Sequence, residues 1–304
     1  MDVGNLKQLL RSFNLKPNFT YGQNFLIDDS VLQAIVKAAD LFADDKVLEI
    51  GPGIGNLTRA LCERAGFVLS IEKDPKFLPI LKSIKKDFPK NFRFEIADAL
   101  EFDYQKTFLS RHTDGSGFTD NYGNEHPQLS ADPDKVRRSG SDYKVVANIP
   151  YYITGKIIQI LITAKNKPSS IVLLTQKEVA QNIVAKPGDL SVLAISVQLY
   201  GEPQIVGIVP AKSFYPAPKV DSAILKIKLY RKSKYKIADE KKFFKIVKAC
   251  FAGKRKQIHN TLVNNLRLDK KLVAEILSSL KISPAARPQE LSIEKWIKLG
   301  EKIK

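Results

Sequence analysis

The sequence predicts an α/β protein, with a sheet of strands alternating with helices over residues 1–230 and a small all-helical domain over residues 231–304. Three observations carry that expectation. Short apolar runs of strand length alternate with amphipathic segments of helical period from Val47 onward. The chain is 304 residues long, room for one large domain or two smaller ones at about 150 residues each. Past Arg231 the strand pattern stops and the charge changes, with 20 basic against 7 acidic residues, which is thirteen of the net charge of +17.

Residues Asn5–Phe13 read as a short amphipathic helix ended by the loop at Pro17. After the loop Tyr21-Gly-Gln-Asn-Phe-Leu26, Ser30 is placed to cap a helix running to about Ala39. Val47–Ile50 is a buried strand, Asn56–Arg64 a helix, Phe67–Glu72 a strand and Phe92–Ile96 another. Lys76–Asp87 is a helix whose Pro79 falls in the first turn, where proline is tolerated. Lys144–Ala147 and Ile171–Thr175 add two strands around a helix at Lys156–Ala164. Ile205–Val209 and Ser222–Tyr230 close the sheet as an antiparallel pair. Between residues 110 and 142 the pattern breaks into Gly, Ser, Asp, Asn and Pro, as expected of a mobile surface insertion. Its His112 and His126 have no partners at ligand spacing, so no metal is expected. Lys241–Phe251, Gln257–Leu266, Lys270–Leu280 and Ser292–Lys302 are the four helices of the basic domain, with Ser292 an N-cap.

The composition, 44% hydrophobic and 27% charged, excludes wholesale disorder and fibrous repeats. No apolar run approaches the roughly 18–20 residues that span a bilayer, and the first residues have no basic, then apolar, leader pattern. Cys62 and Cys250 make no disulfide framework and read as buried thiols, so a cytoplasmic protein without a membrane partner is expected. The basic tail is the footprint of a polyanion partner, and nucleic acid fits better than a membrane because Trp296 is the only tryptophan.

Four motifs carry chemistry. Val47-Leu-Glu-Ile-Gly-Pro-Gly-Ile-Gly-Asn56 runs a buried strand into a Gly-rich turn and a helix, where Gly51, Gly53 and Gly55 let the backbone approach a ligand. A dinucleotide site would want Gly or Ala where Asn56 stands. Glu72 ends the next strand, 21 residues after Gly51, where a carboxylate accepts hydrogen bonds from ribose hydroxyls. Asp98, followed by Ala99, ends the third strand and could accept from an adenine amine or simply cap a turn. The fourth motif, Asn148-Ile-Pro-Tyr151, follows the fourth strand. The amine of a nucleobase is a poor nucleophile because its lone pair is delocalised into the ring. An Asn carbonyl and the adjacent backbone carbonyl can accept both amine hydrogens and favour a pyramidal nitrogen as charge develops. Tyr151 offers a face on which an extruded base stacks, and Pro150 stiffens the turn.

With these motifs in place, the chain resembles the S-adenosylmethionine-dependent rRNA adenine N6-dimethyltransferases, most closely the bacterial small-subunit (KsgA-type) enzymes that modify 16S rRNA. The resemblance covers nearly the whole chain. It takes in Gly22-Gln-Asn-Phe-Leu26, Glu49-Ile-Gly-Pro-Gly53, Ile71-Glu72, Asp98-Ala99, Asn148–Tyr151, Gln176-Lys-Glu178 and Leu190-Ser-Val192. It continues through Ser213-Phe-Tyr-Pro-Ala-Pro-Lys-Val-Asp-Ser-Ala223, Lys254–Lys256, Asn260-Thr-Leu262 and Ala286–Ser292.

The resemblance implies a Rossmann-like class I methyltransferase sheet with a helical tail, S-adenosyl-L-methionine as methyl donor, and no metal. It implies that Gln23, Asn24 and Leu26 cover the cofactor, and that Gly51 meets its methionine end and Glu72 its ribose. Asp98 and Ala99 would hold its adenine, and Asn148 would touch both cofactor and target. Asn148, Ile149, Pro150 and Tyr151 would form the catalytic segment, with Phe214 a second aromatic wall. Lys254, Arg255 and Lys256 are candidates to grip rRNA backbone. The implied activity is dimethylation of two adjacent adenines in the 3′-terminal hairpin loop of 16S rRNA, by a monomer acting on the immature small subunit during ribosome biogenesis. A 23S rRNA dimethyltransferase of the resistance kind and a non-catalytic assembly factor on the same scaffold are the alternatives. Two departures stand out: the insertion is longer than the family's usual connection, and Tyr215 stands where family members often carry Thr.

Overall fold

The computed structural model describes residues 1–18, 22–104, 143–253 and 255–303. The expected insertion at 110–142, with His112 and His126, lies outside the described residues, as do Tyr21 and Lys254. The chain divides into two compact units, Met1–Lys177 with Gln204–Leu229, and Glu178–Pro203 with Tyr230–Lys304. No helix among the described residues is long and apolar enough to cross a membrane.

In the first unit, α1 (Val3–Ser12) is capped by Asp2, whose carboxylate accepts from the Asn5 N–H. Helix α2 (Asp29–Ala39) starts two residues earlier than the sequence suggests. Asp28, not Ser30, is its cap, because the Asp28 carboxylate accepts from the N–H groups of both Ser30 and Val31. Ser30 adds its own hydroxyl to the same carboxylate.

The elements β2 (Lys46–Ile50), α3 (Asn56–Cys62), β3 (Phe67–Glu72), α4 (Leu78–Asp87), β4 (Phe92–Ile96), β5 (Tyr143–Asn148), α5 (Thr154–Thr163) and β6 (Ser170–Gln176) follow in turn. With β7 (Gly201–Val209) and β9 (Ser222–Leu229) the strands form one seven-stranded sheet in the order β4-β3-β2-β5-β6-β9-β7. The first five are parallel and β9 runs antiparallel to β6. The central strands are near-continuous apolar runs, as both faces of a parallel sheet must be covered. Helix α2 packs on β5, β6 and β9 and against α3, contributing the buried Ile35, Val36 and Ala39. A short ribbon of β1 (Phe25–Leu26) and β8 (Phe214–Tyr215) pairs Leu26 with Phe214.

Strand order alone positions the site. Ile50 is in register with Ile71 on one side and Ala147 on the other, so the next residues, Gly51, Glu72 and Asn148, share one carboxyl edge. Glu72 is level with Ile96, which brings Ala97 and Asp98 to the same edge. Across that edge the residues fall in the order Asp98, Glu72, Gly51, Asn148, at the point where strand order reverses between β2 and β5 and where open α/β sheets bind ligands.

The second unit contains α6 (Lys177–Ile183) from Glu178 on, α7 (Val192–Tyr200), α8 (Glu240–Phe251), α9 (Ile258–Leu266), α10 (Lys270–Ser279) and α11 (Ile293–Lys302). The expected linear division at residue 230 therefore differs from the observed one. Leu190, Ala194, Ile195 and Leu199 share one apolar cluster with Phe243, Val247, Leu277 and Trp296, which draws Glu178–Pro203 into the helical unit. The expected cap at Ser292 is present, accepting from the Lys295 N–H.

Candidate active site

The carboxyl edge of the sheet opens into a cleft with about 1110 Å³ of free space, the solvent at its mouth included. Gln23, Asn24, Leu26, Gly51, Glu72, Asp98 and Ala99 all line it, and so do Asn148, Ile149, Pro150 and Tyr151. Residues far apart in sequence thus meet in one place, as the register requires.

At one end, the Glu72 carboxylate is buried and fixed by backbone. One oxygen accepts from the Gly53 N–H at 3.0 Å and the other from the Asp74 N–H at 2.8 Å. Burial raises its pKa, and those backbone bonds hold the rise back. The turn that supplies the Gly53 N–H begins at the end of β2, with Gly51 and Gly53 in the left-handed region. Gly55 serves a different purpose from the ligand approach expected of it. A Cβ there would lie 2.1 Å from Ile84 Cδ1, so it lets α3 begin hard against α4.

Asp98 caps a turn, the plainer of the two readings from the sequence, and also lines the cleft. It accepts from the Leu100 N–H and from Lys73 Nζ at 2.7 Å, and the Lys73 bond holds its carboxyl below the usual range. Behind this end lies Glu49, in register with Ser70, whose hydroxyl donates to it at 2.5 Å. Burial pushes Glu49 up to about 7, against the pull of the Ser70 and Thr58 hydroxyls. Glu49 Oε1 and the Thr58 hydroxyl are both buried without a hydrogen bond of good geometry among the described residues.

At the other end, β5 stops at Asn148 and Pro150 leads into a single 3₁₀ turn, Tyr151–Ile153. Asn148 Nδ2 donates to the Asn24 carbonyl at 3.3 Å, a bond that does not engage the Oδ1 acceptor. Tyr151 shares a 2.7 Å hydrogen bond with Ser222, and burial raises its pKa. The Gln23 side chain bridges the Asn18 N–H and Asp74, tying the N-terminal loop to the Glu72 end of the cleft.

Phe214 departs from expectation. It is 3% exposed, belongs to the apolar cluster of the first unit, and is not among the residues lining the cleft, because pairing with Leu26 directs it into the core. Arg255 and Lys256 are exposed in the helical unit, while their neighbour Lys254 lies outside the described residues. Lys73, Phe77 and Tyr152 also line the cleft, and no motif in the sequence singles them out. Lys73 directly follows Glu72 and Tyr152 directly follows Tyr151, so adjacency to a motif is the only signal they carry.

A Gly-rich turn and an acid on the next strand serve dinucleotide enzymes and methyltransferases alike; the two part at β5. With Asn148–Tyr151 in register beside Gly51, fold and site define a class I S-adenosylmethionine-dependent methyltransferase. The model of the ribosomal RNA adenine dimethylase family matches residues 14–304, and the chain belongs to that family. It is 38% identical over 293 residues to ribosomal RNA small subunit methyltransferase A of Dehalococcoides mccartyi strain CBDB1, covering 96% of this chain and 90% of that protein. The protein of the same name from Halothermothrix orenii is 35% identical, covering 98% and 94%. Among solved structures, a dimethyladenosine transferase from Plasmodium falciparum superposes with TM-score 0.70 at 26% identity, covering 90% of this chain and 95% of that one. The 23S rRNA methyltransferase ErmE superposes with TM-score 0.66 at 26% identity, covering 92% and 99%.

Proposed function

We propose that this chain dimethylates the N6 amines of two adjacent adenines in the 3′-terminal hairpin loop of 16S rRNA, acting as a monomer on the immature small subunit. The observation that carries this reading is the register that sets Asn148 level with Gly51 and Glu72.

The residues fit the methyl donor. Glu72, pinned by two N–H groups, presents its carboxylate as a fixed acceptor for ribose hydroxyls, and Asp98 lies one strand further for an adenine amine. Gly51, Leu26 and Asn24 surround the remainder of such a ligand. When bound, the cofactor supplies a methyl group on an electrophilic sulfonium. The protein's part is then to position the amine and stabilise charge. Asn148 Oδ1 and the Ile149 carbonyl accept the two N6 hydrogens, Tyr151 stacks on the base, and Pro150 holds all three in place before substrate arrives. Each new N–C bond would form as the methyl's C–S bond breaks to leave a neutral thioether, with one N6 proton passing to water, and a second turnover with a fresh donor completes the dimethylated base. Looped adenines are cheaper to unstack than paired ones, which favours a hairpin loop as target. The basic helical unit, with Arg255 and Lys256 exposed, grips rRNA backbone.

The test is transfer of labelled methyl from S-adenosylmethionine to small subunits lacking the modification, beside large subunits. The expected result is dimethyladenine on small subunits alone. Label on large subunits would move the chain to 23S rRNA, and binding without transfer would make it an assembly factor.

A further inference from the structure

Tyr152 is a large aromatic residue to which the proposed reaction gives no role. It lines the cleft and is nonetheless 66% exposed. The cause is the 3₁₀ turn Tyr151–Ile153, in which three residues complete a turn and successive side chains diverge by about 120°. Tyr151 is accordingly directed inward, onto Ser222, and Tyr152 outward to the mouth.

The outward ring has the N-terminal loop beside it: a Cβ built on Gly22 would stand 3.6 Å from Tyr152 Cε1 and 3.3 Å from Pro150 Cβ. Gly22 also has φ +60, so both its backbone and its surroundings suit glycine. The loop that carries Asn24 to Asn148 therefore also runs beside the Tyr152 ring, and most of Tyr152 is left to solvent.

An exposed aromatic face at the mouth of a cleft that takes an extruded base has a natural occupant. Extruding one adenine breaks its stack with the next nucleotide and uncovers that neighbour's face at the cleft entrance. Every nucleobase has such a face, and aromatic side chains bind it without needing hydrogen bonds. We infer that Tyr152 stacks on the nucleobase next to the adenine being methylated, so that the protein reads the pair rather than a single base. This rests on the RNA adenine reading above, and it gives a physical reason for a target of two adjacent adenines.

The test uses small subunits reconstituted on rRNA whose 3′-terminal hairpin is ligated from synthetic RNA. One of the two adenines at a time is replaced by an abasic nucleotide, and methylation of the other is followed. Wild type is expected to lose about tenfold in kcat/KM on at least one abasic substrate. Tyr152→Ala is expected to show that loss already on the intact hairpin, mainly in KM, with no further loss on the abasic one. Tyr152→Phe, which keeps the ring, is expected to restore dependence on the neighbour. Tyr152→Ala matching wild type on the intact hairpin, or an undiminished abasic penalty in Tyr152→Ala, would overturn the inference. Failure of wild type to methylate the intact hairpin is a separate outcome, which overturns the reading on which the inference rests.

Discussion

The two ends of the cleft are organised by opposite means. At the β3–β4 end, charge does the work: Glu72 is a buried carboxylate held by two backbone N–H groups, and Asp98 is held by Lys73 and a turn. At the β5 end the groups are neutral, and their positions come from geometry, through Pro150, the 3₁₀ turn, and a hydrogen bond from Asn148 to the N-terminal loop. On the proposed function the two ends divide the labour. Fixed charge suits a ligand that must be bound and oriented, whereas placed neutral acceptors suit an amine whose charge appears only as the new bond forms.

If that division holds, substitutions at the two ends fail differently. The largest effect belongs to Asn148→Ala, expected to lower kcat about 10²–10³-fold while the affinity for S-adenosylmethionine changes by a small factor. Equal losses in both, measured by single-turnover kinetics beside calorimetric titration, would show that the two ends do not divide binding from chemistry.

Next in size is Glu49→Gln, directly behind the charged end. The folded carboxyl sits at about 7, above its ordinary value of 4.5, so the folded state holds its proton more tightly than the unfolded chain. The contribution is fully present below pH 4.5 and is lost as pH rises through 7. Gln removes that loss and keeps a neutral hydrogen-bonding group beside the Thr58 hydroxyl. The variant should be more stable than wild type by on the order of 3 kcal/mol at pH 8, with the advantage shrinking toward pH 5. Denaturant titrations across that range check it, and a pH-independent difference would count against a protonated Glu49.

Glu72→Gln probes the charged end alone. It keeps the shape but gives up the charge-assisted acceptor, so cofactor affinity should fall about tenfold with kcat at saturation little changed. The smallest effects lie in the helical unit. Arg255→Ala and Lys256→Ala should each reduce the slope of log affinity for rRNA against log salt by about one, uniformly across RNA sequences.

The parts of the fold and site legible in the sequence are those where one physical signal dominates. Strands β2, β3 and β5 read as buried apolar runs, and the residues that end them fall on one carboxyl edge by parallel pairing alone. What stays hidden has competing or distant causes. Helix α7, Val192–Tyr200, is apolar nearly all round, so no helical period marks it, and its membership in the second unit depends on contacts with α8. Asp28 and Ser30 are both good caps two residues apart, and only the reach of the carboxylate decides between them. Phe214 stands in a motif-like loop, yet its burial follows from pairing with Leu26, far earlier in the chain. Tyr152 reads as an ordinary residue after a motif; the turn alone sends it outward.

The most direct test of the central claim is to map the product. Small subunits lacking the modification are incubated with S-adenosylmethionine and either wild type or Asn148→Ala. The 3′-terminal hairpin is then excised and its nucleotides sequenced by mass. The expected result is N6,N6-dimethyladenosine at two adjacent positions with wild type and almost none with Asn148→Ala. Methyl groups on any atom other than adenine N6, or an undiminished yield from Asn148→Ala, would contradict the account.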